Sequence, residues 1–334
     1  MRYIDSINQS LHKLLASNPT IYLIGEDLLD PYGGAFKVSK GLSTAYPNQV
    51  ISTPISEAGI VGFAIGLALC QCNPIVEIMF GDFITLCADQ IINGATKFNW
   101  MYAGQIDVPM VIRTPMGGRR GYGPTHSQTL ESLFLNVPGI SIVAPSELHD
   151  PGLLLEATVT STKQPVLFIE NKALYPQIIQ KQFSEFVCEE IAIADPRYPT
   201  KKLRVNTDQT TDLILIAYGG MAGFAVAAAK SLFFSYEIVV EVLVPSLIKP
   251  FPMEDIEHAV CRVGHVLVVD ESPAVAGWAS CLIAHLVKKN LPKLKAVDFI
   301  GAKEHPIPAS ITQEHDALLQ TDNIVDAISK MIKH

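Results

Sequence analysis

Two stretches of the sequence bring together residue types that can do chemistry. In TPISEAGIVG, residues 53–62, one carboxylate, Glu57, heads a run from Ala58 to Leu69 that contains no charged residue. An ionised carboxylate among apolar groups costs several kcal/mol unless something pairs with it, so Glu57 either starts a helix or serves a ligand. With Ser56 as N-cap, a first-turn glutamate meets the positive end of the helix dipole, and that alone accounts for it. In RTPMGGRRGYGPTHSQ, residues 113–128, four glycines, two prolines and three arginines accompany His126. A loop histidine is ordinarily a surface residue, but glycines at this density let backbone approach something closely. The segment has neither the GxxxxGK[ST] order of a phosphate loop nor a GxGxxG opening a helix. YGGMAG, residues 218–223, mimics a dinucleotide turn, yet no acidic residue ends the next strand as ribose recognition requires.

The elements that must position these residues alternate between apolar strands and helices. After an N-terminal helix with apolar residues at 4, 7, 11, 14 and 15, short runs at 21–25, 74–79, 109–114, 140–145 and 165–170 read as buried strands. Helices are expected near 57–71, 85–100 and 147–160. That pattern predicts a parallel sheet covered on both faces, with the glycine-rich loop just beyond the carboxyl end of a strand. Polar sequence with little periodicity follows, and alternation resumes with strands at 212–219, 237–245, 265–272 and 295–301. The chain therefore divides into a first α/β domain over 1–185, a linker over 186–208 and a smaller α/β domain over 209–334.

Composition narrows the function class. The chain has 334 residues, 49% hydrophobic and 17% charged, enough for a large core. A formal net charge of −8, without a Lys/Arg stripe interleaved with aromatics, argues against nucleic acid as a partner. No apolar run is long enough to span a membrane, and the N-terminus lacks a signal-peptide core. The six cysteines form no CxxC pair and no metal-ligand spacing, so a reduced, cytoplasmic protein is expected.

Seven segments in register carry a resemblance. GEDLLDPYGGAFKVSKGL (25–42), TPISEAGIVGFAIGLAL (53–69), EIMFGDF (77–83), DQIINGATK (89–97), RTPMGGRRGYGPTHSQTLE (113–131), VPGISIVAPS (137–146) and PVLFIENKALY (165–175) resemble the beta subunit of the thiamine-diphosphate-dependent first component of 2-oxo acid dehydrogenase complexes. This is the family of pyruvate, branched-chain 2-oxo acid and acetoin dehydrogenases. The match is dense over 20–176 and looser after 210. It implies a parallel-sheet pyrimidine-binding domain, the thiamine-diphosphate-binding fold, followed by a transketolase C-terminal domain.

The resemblance gives each candidate residue a role. Glu57 stands where the family hydrogen-bonds the far ring nitrogen of the cofactor's aminopyrimidine, favouring the imino tautomer that activates the thiazolium; a carboxyl in an apolar pocket can share that proton near neutral pH. Gly62, Phe63 and Gly66 complete a pattern whose small residues let helices of neighbouring subunits cross closely. Phe83 matches the aromatic that stacks on the aminopyrimidine, and Met79 an apolar contact beside it; both read equally well as core. His126 matches the histidine that assists proton transfer to the acyl acceptor. Glu26, grouped with the cofactor-side residues, matches an acid in the hydrogen-bonded passage between paired sites, or is a solvated turn carboxylate.

Absences and departures complete the expectation. The family's Mg2+ ligands, a GDG motif with a later Asn, have no counterpart; GDF at 81–83 runs on into apolar sequence. Half of the enzyme is then missing, which implies an alpha subunit holding the diphosphate and Mg2+ in an α2β2 heterotetramer, and no metal ligands in this chain. Where some relatives bind a monovalent cation stand Ser161, Thr162 and Lys163, so no such site is expected. The usual Leu-Arg-Thr before the Pro-rich turn appears as Pro245-Ser246-Leu247, and Pro252 replaces an acidic residue. The expected activity is decarboxylation of a 2-oxo acid with acyl transfer to a lipoyl acyltransferase. The alternative is a transketolase-like subunit delivering a two-carbon or acyl unit to an acyl carrier protein, and a third reading is a non-catalytic subunit.

Overall fold

In the computed structural model, which describes residues 1–180 and 183–333, the apolar runs are strands of two sheets. The first half contributes β1 (Ile21–Glu26), β2 (Val50–Thr53), β3 (Asn73–Glu77), β4 (Val111–Met116), β5 (Ser141–Val143) and β6 (Val166–Asn171). The second half contributes β7 (Phe186–Ile191), β8 (Thr200–Val205), β9 (Leu213–Ile216), β10 (Val240–Pro245), β11 (Leu247–Lys249), β12 (His265–Pro273) and β13 (Ala296–Ala302). The first sheet runs β11-β5-β6-β4-β3-β1-β2, and all its neighbours are parallel except β11 against β5. The second sheet runs β13-β12-β9-β10-β8-β7, with antiparallel pairing only at β8 and β7. Central strands such as β4, β6, β9 and β10 are buried along their whole length, as expected of sheets covered on both faces.

The connection expected over 186–208 is instead the edge of the second sheet. Its polarity reflects an exposed strand: β7 buries only Phe186 at its start, and its acids pair across the ladder, Glu189 with Lys202 at 2.6 Å and Glu190 with Lys201. Opposite charges facing each other across an antiparallel pair stabilise an edge that water wets on one side.

Helices cover the sheets where apolar periodicity predicts them. Tyr3, Ile7, Leu11, Leu14 and Leu15 bury one face of the helix Tyr3–Ser17, which packs on the helix Pro151–Ser161. The stretch expected as a helix over 85–100 departs from that form. It is a 3₁₀ segment, Gly81–Cys87, a π segment, Gln90–Ala95, and a short helix, Phe98–Met101. Asn93-Gly94 is a poor helix former, and Gly94 leaves room for Ile65 of the adjacent helix, whose Cδ1 would lie 3.0 Å from an added Cβ. Beneath the strand ends, Arg113 donates to Glu170 at 2.6 and 2.9 Å and to Glu77 at 2.9 Å, tying β3, β4 and β6 together where the loops above them begin. Among the described residues, no helix is long and apolar enough to cross a membrane.

Candidate active site

Glu57 is the first residue of the helix Glu57–Leu69, capped by Ser56, whose Oγ accepts from Gly59 N at 3.3 Å. The helix-start reading and a buried carboxylate therefore coincide, since Glu57 is only 7% exposed. Beside it Glu26 ends β1, and its Oε1 is buried with no hydrogen-bond partner. Burial, then the charges of Glu57 and Asp27, push the Glu26 carboxyl above its ordinary range, against a hydrogen bond from the Ser56 backbone N–H. Close by, burial and then the Glu57 charge push the Cys87 thiol up to about 12. The two acids form one pair, and Cys87 links it to the 3₁₀ segment that carries Phe83.

At the other end of that segment the chain gathers aromatic rings around His126. The imidazole lies edge-on to Phe80, with centroids 4.7 Å apart, and to Phe83 at 5.3 Å, and Thr125 Oγ1 sits 2.9 Å from its Nδ1. His126 and Phe83 are both half-buried, as is Met79, which sits between β3 and Phe80. Phe36 and Tyr122 pack on Phe80 at 5.3 and 6.0 Å. The ammonium of Lys172, fully buried and 5.7 Å from the Phe80 centroid, is pushed down to about 8 by that burial. Asp82 accepts from Gln128 Nε2 at 2.8 Å, while its Oδ2 is buried without a partner.

The loop that carries His126 is held by the second half of the chain. Glu314, in the helix Ile311–Ala317, accepts from Arg119 N and Gly121 N, both at 2.8 Å. Glu271 accepts from Gly118 N at 3.3 Å and from Asn171 Nδ2 at 2.6 Å. The Arg119 guanidinium donates to Leu319 O at 2.6 Å and lies 4.0 Å over the Phe224 ring. Further along, Tyr218 O–H donates to Glu131 and to Asp270 at 3.2 Å, and Lys249 Nζ donates to Phe134 O and Val137 O. The close approach that the glycines permit is thus to these side chains: a Cβ on Gly118 would lie 2.6 Å from Leu318 Cδ1.

Residues 1–177 match the family model described as the transketolase pyrimidine-binding domain, and residues 202–324 match the transketolase C-terminal domain. The pyruvate dehydrogenase E1 component subunit beta-2 of Oryza sativa is 33% identical over 98% of this chain and 85% of its own length. The beta subunit of acetoin:2,6-dichlorophenolindophenol oxidoreductase of Cupriavidus necator is 32% identical over 98% and 96%. The chain belongs to the family of 2-oxo acid dehydrogenase beta subunits. The 2-oxoisovalerate dehydrogenase beta subunit of Dictyostelium discoideum, 32% identical over 92% of this chain and 80% of its own, falls within the same beta-subunit family. A split-gene transketolase in an inactive beta4 tetramer shares the fold, with a TM-score of 0.72 at 17% identity over 100% of this chain and 98% of that one.

Within this beta subunit, the residues singled out from the sequence fall into two groups, Glu26 with Glu57 and Phe83 with His126, joined through residues 81–87, with Met79 at the adjoining turn. Glu271, Glu314, Asn171 and Lys172 were not singled out. Glu314 lies in QEHDALL and Glu271 ends an apolar strand, and neither local pattern separates a loop clamp from a solvated acid. Among the described residues, no group of three or more His, Cys, Asp or Glu side chains is placed to hold a metal ion.

Proposed function

We propose that the chain is the beta subunit of a thiamine-diphosphate-dependent 2-oxo acid dehydrogenase that decarboxylates a 2-oxo acid and passes the acyl unit to a lipoyl carrier, active only with an alpha subunit in an α2β2 assembly. The observation that carries this reading is the pairing of a buried carboxylate couple, Glu26 and Glu57, with the aromatic and histidine group of Phe83 and His126, in a chain whose relatives are dehydrogenase beta subunits. The unmet acceptor at Glu26 Oε1 and the half-buried ring of Phe83 fit the pyrimidine end of the cofactor. Bound thiamine diphosphate supplies the electron sink that decarboxylation of a 2-oxo acid needs.

Each residue then has a task. Glu57 would hold the ring nitrogen of the aminopyrimidine, Phe83 would lie against its face and Met79 would close the apolar side. His126 would give or take a proton at the acceptor during acyl transfer, and Glu26 would pass protons toward Glu57. Mg2+ and the diphosphate would be held by the alpha subunit. The face of the helix Glu57–Leu69 that carries Gly62, Phe63 and Gly66 is open in the chain alone, with Phe63 51% exposed, which supports an interface there.

Calorimetry and turnover test the reading. The purified chain is expected to bind thiamine diphosphate weakly and to lack activity. With an alpha partner carrying the GDG motif, it should gain Mg2+-dependent binding and 2-oxo-acid-dependent reduction of an artificial electron acceptor. Tight Mg2+-dependent binding by the chain alone, or an assembly that turns over only ketose donors, would sink it.

A further inference from the structure

The loop over residues 117–126 is an unusual length of backbone. It enters the left-handed region at Gly117, Arg119, Gly121 and Gly123, with φ of 90°, 70°, 69° and 78°. Arg119 has no glycine's freedom there, so its conformation persists only where surrounding contacts impose it. The alternation aims the N–H groups of Arg119 and Gly121 at one point, as in the backbone concavities that bind anions. The occupant of this concavity is the protein's own carboxylate. Glu314 is 2% exposed, forms no ion pair among the described residues, and uses one oxygen for each N–H. A buried carboxylate that no cation touches depends on such donors, even with the charges of Arg119 and Lys172 acting on it, and a loop in this conformation depends on such an acceptor. Five residues beyond Gly121 in the sequence is His126, whose N–H donates to Gly123 O at 3.3 Å, so the held backbone leads directly to the imidazole between Phe80 and Phe83.

We propose that Glu314 is the positioning residue for His126: by bridging the N–H groups of Arg119 and Gly121 from the second half of the chain, it holds the loop in the one register that sets the imidazole against Phe80 and Phe83. The proposal rests on the reading of His126 as the proton-transfer group of a thiamine-dependent subunit. Glu314→Gln is the variant of choice, because an amide of the same shape can accept from one N–H but turns a donor toward the other.

The experiment uses the chain assembled with its alpha partner and has two arms. In the first, trypsin cleavage after Arg119 or Arg120 is followed by mass spectrometry, together with the rate at which diethyl pyrocarbonate modifies His126. Glu314→Gln should be nicked about tenfold faster than wild type and should change the His126 modification rate, while the thermal midpoint of the assembly stays near that of wild type. In the second arm, Glu314→Gln should lower kcat for the carrier-dependent reaction by about 10²-fold with little change in KM, the scale expected when a reacting group is misplaced by about 1 Å. In a His126→Ala background the same substitution should cost less than about twofold, since two changes acting through one group do not add. Losses that multiply across the two backgrounds, or nicking and modification rates identical to wild type, would overturn the proposal. The first arm needs no turnover, so an assembly without thiamine-dependent activity refutes the functional reading while leaving the role of Glu314 decided by cleavage and modification.

Discussion

Glu57 and His126 stand at opposite ends of one short segment, and the roles proposed for them separate in time. If Glu57 governs cofactor activation, Glu57→Ala should abolish every thiamine-dependent step, including decarboxylation read with an artificial acceptor. If His126 serves delivery of the acyl unit, His126→Ala should depress the carrier-dependent reaction by about 10²- to 10⁴-fold and the artificial-acceptor assay much less. Near-normal decarboxylation in Glu57→Ala, or equal losses in both assays for His126→Ala, would reject these roles. Both residues stand out in the sequence because a carboxylate opening an uncharged helix, and a histidine in a glycine-rich loop after a strand, break the ordinary pattern of their surroundings, but their proposed roles come from the family resemblance and not from that pattern. Glu314 was illegible for the opposite reason. Its neighbours in QEHDALL make it look like one acid on a wet helix face, and its partners lie 195 and 193 residues away in sequence. Lys172 was hidden in the same way, since nothing beside it in the sequence announces that Phe80 will lie over its ammonium.

Among the elements, the strands that form continuous buried apolar runs were legible and the polar or part-exposed ones were not. β9, β10 and β12 are apolar runs that leave little choice, whereas β2, with only Val50 fully buried, and β7, with four exposed residues, carry no such signature. The helix Glu57–Leu69 was readable in extent, but its apolar residues run all round it, so its free face could not be read from periodicity. That face now makes a prediction. An added Cβ on Gly66 meets nothing within 4 Å, so Gly66→Ala should stabilise the isolated chain by about 0.5–1 kcal/mol through the better helix propensity of alanine. If another subunit crosses there, Gly66→Leu should weaken assembly with the alpha partner while leaving the chain's own thermal midpoint intact. Native mass spectrometry of the reconstituted complex gives the answer, and undiminished assembly of Gly66→Leu would remove this helix from the interface.

Across the whole molecule the two halves share a buried acidic junction. Glu131 of the first half meets Tyr218 and Asp270 of the second, with Glu271 nearby, and burial, followed by the Asp270 charge, pushes the Glu131 carboxyl up to about 8. The folded chain therefore keeps a proton that the unfolded chain releases at the ordinary carboxylate pKa. Stability from this group is complete below that ordinary value and is lost as pH rises through about 8, with a slope of at most about 1.4 kcal/mol per pH unit. Glu131→Gln has no proton to lose, so its thermal midpoint should gain on wild type between pH 5 and 8.5, roughly the window of the shift. Parallel midpoint curves for the two proteins would show that the junction does not titrate. The two halves are joined a second time by a strand that crosses back over any boundary placed near residue 185. β11 pairs with β5 through Leu247 opposite Val143 and Lys249 opposite Ile142, and Ala144 N donates to Ser246 O at 2.8 Å. The first sheet thus borrows its last strand from beyond four strands of the second, which makes the first half a strand acceptor and the tail its donor. A fragment ending before β9 would expose β5 as a raw edge, prone to pair with another copy of itself, and a free peptide spanning residues 245–251 would become its ligand by donor-strand complementation.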